Sequence, residues 1–191
     1  IINVYGNERL TKWATWTANL NVDLISYWKL DESSGDAIDS HGNNDGSVTG
    51  ATQGVSGKIG TAYSFDGNDY VTVPDDDTLD ADSITVLAWV KGSAQDNKPV
   101  VSHYDTTNDD RAFDMAASAI SNTKFKVVIT DDGGWNVGHK KDYTSSTVAF
   151  DNSWHLIGFT FDNGNLSLYN DGVLDTNPTK SDDDAITSIY T

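Results

Sequence analysis

The residues in this chain whose types and spacing could do chemistry are loop carboxylates and loop aromatics. Asp39 with Asn44 in one long loop, and Asp66, Asn68 and Asp69 in the turn FDGND, offer hard oxygen ligands of the kind a calcium ion takes, about 6 to 8 at a time. Their spacing is not that of an EF-hand, and Asp66 and Asn68 equally suit Asx turns that let the chain reverse at Gly67. Trp135 follows Gly133-Gly134, with Tyr104, Tyr143 and His139 as aromatic neighbours and Asp131 and Asp132 beside it. An indole lifted on a glycine-rich loop presents a flat apolar face with an N–H at its edge, suited to stacking on a sugar ring beside hydrogen-bonding carboxylates. The same Trp135 equally suits a cap on the end of a sandwich, since Trp is highly buried on average.

The elements that must position these groups read as strands. In NSWHLIGFTFDNGNLSLYNDG, from Asn152 to Gly172, an Asn163-Gly164 two-residue turn sets Asp162 opposite Asn165. Phe161 then meets Leu166 and Phe159 meets Leu168 on one face, while Thr160 meets Ser167 and Gly158 meets Tyr169 on the other. Further strands are expected at LISYWKL (Leu24 to Leu30), on both sides of the Asp66–Asp69 turn, at SITVLAWVKG, PVVSHY, RAFDMAAS and KFKVVITD, and near SSTVAF. SITVLAWVKG is the most apolar and is expected to lie centrally, with Trp28, Trp89 and Trp154 in the core. The passage Asp31 to Gly50 reads as a surface loop. Residues 1–23 carry Leu10, Trp13, Trp16 and Leu20 at helical spacing and read as an N-terminal extension with a short helix or docking segment.

With a formal net charge of -17, the chain would repel nucleic acid and anionic membrane, which excludes both as partners. Of the 29 acidic residues only Glu8 and Glu32 are glutamates, and aspartate belongs to turns where glutamate belongs to helices. There is no cysteine, hence no disulfide framework, and His41, His103, His139 and His155 lack the spacing of a catalytic zinc site. No apolar run approaches the roughly 20 residues that span a bilayer.

The ordered set YWKLDESSG, DSHGNNDG, GKIGTAYSFDGNDYVTVPD, ITVLAWVK and WHLIGFTFDNGNLSLYNDG resembles the LamG-like, concanavalin A-like jelly-roll domains. The resemblance implies an all-β, two-sheet antiparallel sandwich over residues 24–191, usually an extracellular glycan-binding or adhesion module, often with one calcium ion. Such modules occur in secreted polysaccharide-processing proteins and on phage tails or capsids, so the expected location is extracellular or a virion surface. The expected partners are a glycan or host-surface polysaccharide and neighbouring domains of a parent assembly. Family members continue past the Tyr-Asn-Asp-Gly turn into further strands that are not recognisable here, so the sandwich is expected to lack its last strands and to leave a sheet edge open. The glucanases of this fold carry a Glu-x-Asp-x-Glu strand; neither glutamate lies in one, and Asp114 in RAFDMAA has no carboxylate two residues away. With only Arg9 and Arg111 as arginines, a lyase cluster is not visible either. The reading is a binding module and not an enzyme, with a purely structural spacer as the alternative.

Overall fold

A computed structural model describes residues 22–93, 97–105, 110–134, 136 and 138–190. The expected helix at residues 1–23 lies almost wholly outside them, and Trp135 lies outside them as well. The chain divides into two compact units, Ile1–Leu79 and Asp80–Thr191. No helix of the described residues is long and apolar enough to cross a membrane.

Within the first unit, β1 (Ser47–Thr49) pairs antiparallel with β4 (Tyr70–Thr72), and β2 (Thr52–Ser56) pairs with β3 (Thr61–Ser64). A short 3-10 turn follows at Asp77–Leu79. The strand expected from Leu24 to Leu30 is not a ladder: it makes one bridge, Trp28 to Asp39, and Leu30 has a positive φ of 54°. The cause is local. The Tyr27 N–H donates to the Asp39 carboxylate, the Tyr27 carbonyl accepts from Ser40, and Trp28 Nε1 donates to the Asn44 carbonyl at 2.6 Å. Nor is Asp31 to Gly50 only a surface loop, since β1 lies inside it and Ala37, Asp39 and Asn44 are buried.

The second unit is the sandwich. One sheet has the order β12 (Val173–Leu174), β11 (Asn165–Asn170), β10 (His155–Asp162), β5 (Ile84–Val90). The other runs β13 (Thr179–Asp183), β9 (Lys140–Thr144), β8 (Phe125–Thr130), β7 (Asp110–Ala117), β6 (Pro99–Asp105). The β10–β11 hairpin has the predicted register at every pair from Gly158–Tyr169 to Asp162–Asn165, and Asn163 and Gly164 turn with φ of 44° and 82°. Positive φ at both residues is the type I′ turn whose twist matches the strands it joins.

Alternation then builds the core. Ile84, Val86, Ala88 and Val90 from one sheet meet Phe113, Met115, Phe125, Val127 and Ile129 from the other, with Ile157, Phe159, Phe161 and Leu168 between. Phe113 and Phe159 touch across the sheets at 5.5 Å between ring centroids. Each fully buried side chain of this size contributes about 1.5–3 kcal/mol of transfer free energy.

Several expectations need correction. β5 stands at the end of its sheet, bonded to β10, and its outward residues Leu87 and Trp89 are 59% and 42% exposed, so Trp89 is not core. An inward row that fills the core leaves the other row outside. SSTVAF is not a strand: Ala149 and Phe150 both donate to the Thr123 carbonyl, and the strand lies just before it in the charged KKDYT. Two strands, β12 and β13, follow the Tyr-Asn-Asp-Gly turn, and β13 joins β9 through a bulge between Lys180 and Asp182.

Candidate functional site

The register of the five-stranded sheet places Ser102, Asp114, Val128, Asp142 and Asp182 in one row across β6, β7, β8, β9 and β13. Their alternate neighbours Phe113, Met115, Val127, Ile129 and Tyr143 fill the core, so this row belongs to the outer face. Over it lies a groove of about 510 Å³ lined by Asn97, Pro99, Ser102, Tyr104, Asp114, Lys126, Val128, Lys140 and Asp142. A register shift between β6 and β7 pairs Tyr104 with Arg111, whose guanidinium sits 5.3 Å from the Tyr104 ring centroid.

The floor is electrostatically balanced. Burial pushes Asp114 up to about 6, against the pull of Lys126 and helped by the like charge of Asp142. Asp142 is also raised, by burial first, with Lys126 and Lys140 opposing. Asp114 Oδ1 is buried and has no hydrogen-bond partner. Lys140 Nζ lies 3.3 Å from Asp182.

The aromatic cluster expected around the glycine-rich loop is dispersed. Tyr104 is 40% exposed and stands in the groove. Tyr143 is 4% exposed, its ring in the core and its hydroxyl donating to Asp183, so it offers no face to a ligand. His139 Nδ1 and Asp131 Oδ1 are 2.9 Å apart at the exposed end of the sheet, and that contact holds the imidazole pKa above its usual value. Asp132 is a turn organiser. It accepts from Thr130 Oγ1, the Gly134 N–H and Asn136 Nδ2, which outweigh burial and keep its carboxyl low.

The calcium candidates separate in the same way. Asp39 Oδ1 accepts the N–H groups of Tyr27, His41 and Gly42, and Oδ2 accepts that of Asn44. Burial alone would raise its pKa; those donors outweigh it and hold the carboxyl well below the usual range. Asn44 donates its amide N–H groups to Ser26 and Thr78. A carboxylate caged by four N–H donors is an internal cap with no room for a cation, so Asp39 and Asn44 do not fit the metal. In the other turn Asp66 Oδ1 accepts the Asn68 N–H and Asp69 Oδ2 accepts the Asp66 N–H, an Asx turn that leaves the remaining Asp66, Asn68 and Asp69 side-chain oxygens on an exposed tip.

The sequence reading missed Asp142, Lys126 and Lys140. The available signal was the strand period in KKDYT, which places Asp142 on the face opposite Tyr143.

A two-sheet antiparallel sandwich with a polar groove over one sheet defines a lectin-like class of protein. The chain belongs to the concanavalin A-like lectin/glucanases superfamily, whose laminin G model matches residues 65–188. Among solved structures it is similar to an S-layer domain-containing protein (residues 221-444) from Clostridium thermocellum ATCC 27405, at 22% identity and a TM-score of 0.54, over 81% of this chain and 71% of that one. That likeness is one of fold. No curated protein matches the chain.

Proposed function

We propose that this chain is a non-catalytic carbohydrate-binding or adhesion module of a larger extracellular or virion-surface protein, and that it binds through the groove over β6 to β9. The observation that carries the reading is the groove itself. Polar donors and acceptors from four neighbouring strands converge on a rigid sheet beside the half-exposed Tyr104 ring, which suits a sugar's hydroxyls and its apolar face together. Such a shallow site binds in the micromolar to millimolar range, about -8 to -4 kcal/mol.

Catalysis is the second reading, favoured by Asp142 standing on the same face as Asp114 two strands away. Two strand spacings separate their backbones by about 9.6 Å. A retaining glycosidase holds its carboxyls about 5–5.5 Å apart, which argues against that mechanism here. A structural spacer is the third. The fold's occurrence in an S-layer domain-containing protein supports a surface assembly of either kind.

A glycan array with wild type and Tyr104→Ala separates these readings. Weak binding lost in the variant supports the module, and binding to no glycan leaves the spacer. Reducing ends released from a polysaccharide by purified protein, and no longer released by Asp114→Asn, would overturn the non-catalytic reading.

A further inference from the structure

Asp114 Oδ1 is a buried acceptor with no donor, at the floor of an open groove. A buried carboxylate oxygen left unpaired costs about 1–3 kcal/mol, and a sheet that holds one there gains whenever a donor arrives. The groups around it restrict what that donor can belong to. Lys126 on β8, Asp142 and Lys140 on β9, and Tyr104 on β6 face the groove; Asp182 on β13 lies beside Lys140, while His103 packs edge-on against Phe113 on the inner face. Two carboxylates and two ammonium groups cancel, so neither an anionic nor a cationic ligand gains from the field within the groove, and the -17 of the whole chain disfavours the anionic one further.

We propose that the groove takes a neutral, hydroxyl-rich sugar chain, one of whose hydroxyls donates to Asp114 Oδ1. This inference rests on the carbohydrate-binding reading and narrows it to a ligand class and an anchoring acceptor. A hydroxyl donor binds the ionised carboxylate more strongly than the protonated one, because the bond is then charge-assisted. With the free carboxyl titrating near 6, affinity rises with pH between 5 and 7, and by about tenfold if only the ionised form binds. Binding in turn draws the carboxyl's own titration to lower pH.

The test uses neutral β-glucan and mannan hexasaccharides, with an alginate hexasaccharide and a chitosan oligosaccharide as charged probes. Affinity is measured at pH 5, 6 and 7 for wild type and Asp114→Asn, and the Asp114 side-chain carboxyl is followed by carbon-13 NMR with and without ligand. The expected result is a neutral probe that binds more tightly as pH rises, a carboxyl titration that moves down on binding, and a pH-flat profile in the variant. The carboxyl titration needs no variant, so a variant that fails to fold leaves the test intact. Binding of a neutral probe that is flat with pH and leaves the Asp114 titration unmoved overturns this inference and leaves the carbohydrate reading standing. Preference for a charged probe overturns the ligand class. Failure of every probe at every pH overturns both.

Discussion

Nδ1 of His155 lies 2.8 Å from Oδ2 of Asp171, and its Nε2 lies 3.2 Å from Oδ1 of Asp151, so the imidazole at the start of β10 is held between two carboxylates. Only the doubly protonated ring donates to both, and the Asp171 contact first, then Asp151, raises the His155 pKa. A group whose folded pKa lies above its unfolded value of about 6.5 gives stability that is full below that value and is lost as pH rises through the folded one. Both carboxylates are about half exposed, which limits the effect to under about 1 kcal/mol. Thermal midpoints measured from pH 6 to 9 should fall by about 2–4 °C more in wild type than in Asp171→Asn, which keeps an acceptor for the Leu156 N–H. Equal slopes in the two proteins would refute the contact's role.

The second prediction concerns how β13 is fastened to β9. Asp183 accepts from Lys141 Nζ at 2.7 Å, from the Tyr143 hydroxyl and from Lys180 Nζ at 2.9 Å, and these donors, Lys141 foremost, hold its carboxyl far below the usual range. The Lys141 side chain is 8% exposed, so losing its partner leaves a buried ammonium alone. Asp183→Ala should cost about 1–3 kcal/mol in urea unfolding, toward the lower end because Asp183 itself is partly wet. A depressed carboxyl stabilises above its unfolded pKa of about 3.9, so the difference between the two proteins should shrink as pH falls below about 4. Replacing both, as Lys141→Met with Asp183→Leu, should recover much of the loss.

What the sequence made legible follows from the strength of local signals. The β10–β11 register was readable because Asn163-Gly164 dictates one turn and alternation does the rest. β9 was not, because Lys140, Lys141 and Asp142 mask its period in a strand bonded on both sides, where Tyr143 alone shows the buried face. Missing β9 meant missing Asp142, and with it the groove: the second carboxylate stands beside Asp114 across strands, where no spacing along the chain can show it. The calcium reading of Asp39 had the same limit, since composition cannot tell a carboxylate open to a cation from one filled by the N–H groups of Tyr27, His41, Gly42 and Asn44.

A third prediction grades three glycines in and around the hairpin. At Gly172, with φ of 78°, an added Cβ meets nothing, so Gly172→Ala should cost only the left-handed strain, about 1–2 kcal/mol. Gly164, with φ of 82°, adds to that strain a Cβ 2.6 Å from the Ile186 carbonyl oxygen. At Gly158 an added Cβ would fall 2.4 Å from both the Val86 carbonyl oxygen and Leu87 Cδ2, and the first of these is backbone of the paired strand, so about 1–3 kcal/mol of overpacking is expected without any φ strain. Urea midpoints should therefore rank Gly172→Ala above Gly164→Ala. A Gly158→Ala protein as stable as wild type would show that β5 and β10 do not approach as described.

The last prediction separates the two acidic loops of the first unit. Calcium is proposed only for the exposed Asp66–Asp69 turn, where side-chain oxygens remain beyond the Asx bonds, and the affinity should be that of weak extracellular sites, a Kd on the order of 1 mM. At about 5 mM calcium, mass action then adds roughly 1 kcal/mol, or about 2–4 °C in the thermal midpoint relative to chelator. Asp66→Ala should abolish this increment and change the midpoint in chelator little, because the turn is exposed. Asp39→Asn should do the reverse. It turns an acceptor of four N–H groups into a poorer one and should cost about 2–3 kcal/mol with the calcium increment intact. An increment that disappears with Asp39→Asn but survives Asp66→Ala would put the ion in the loop that its hydrogen bonds argue against, and no increment in wild type would remove calcium from the proposal.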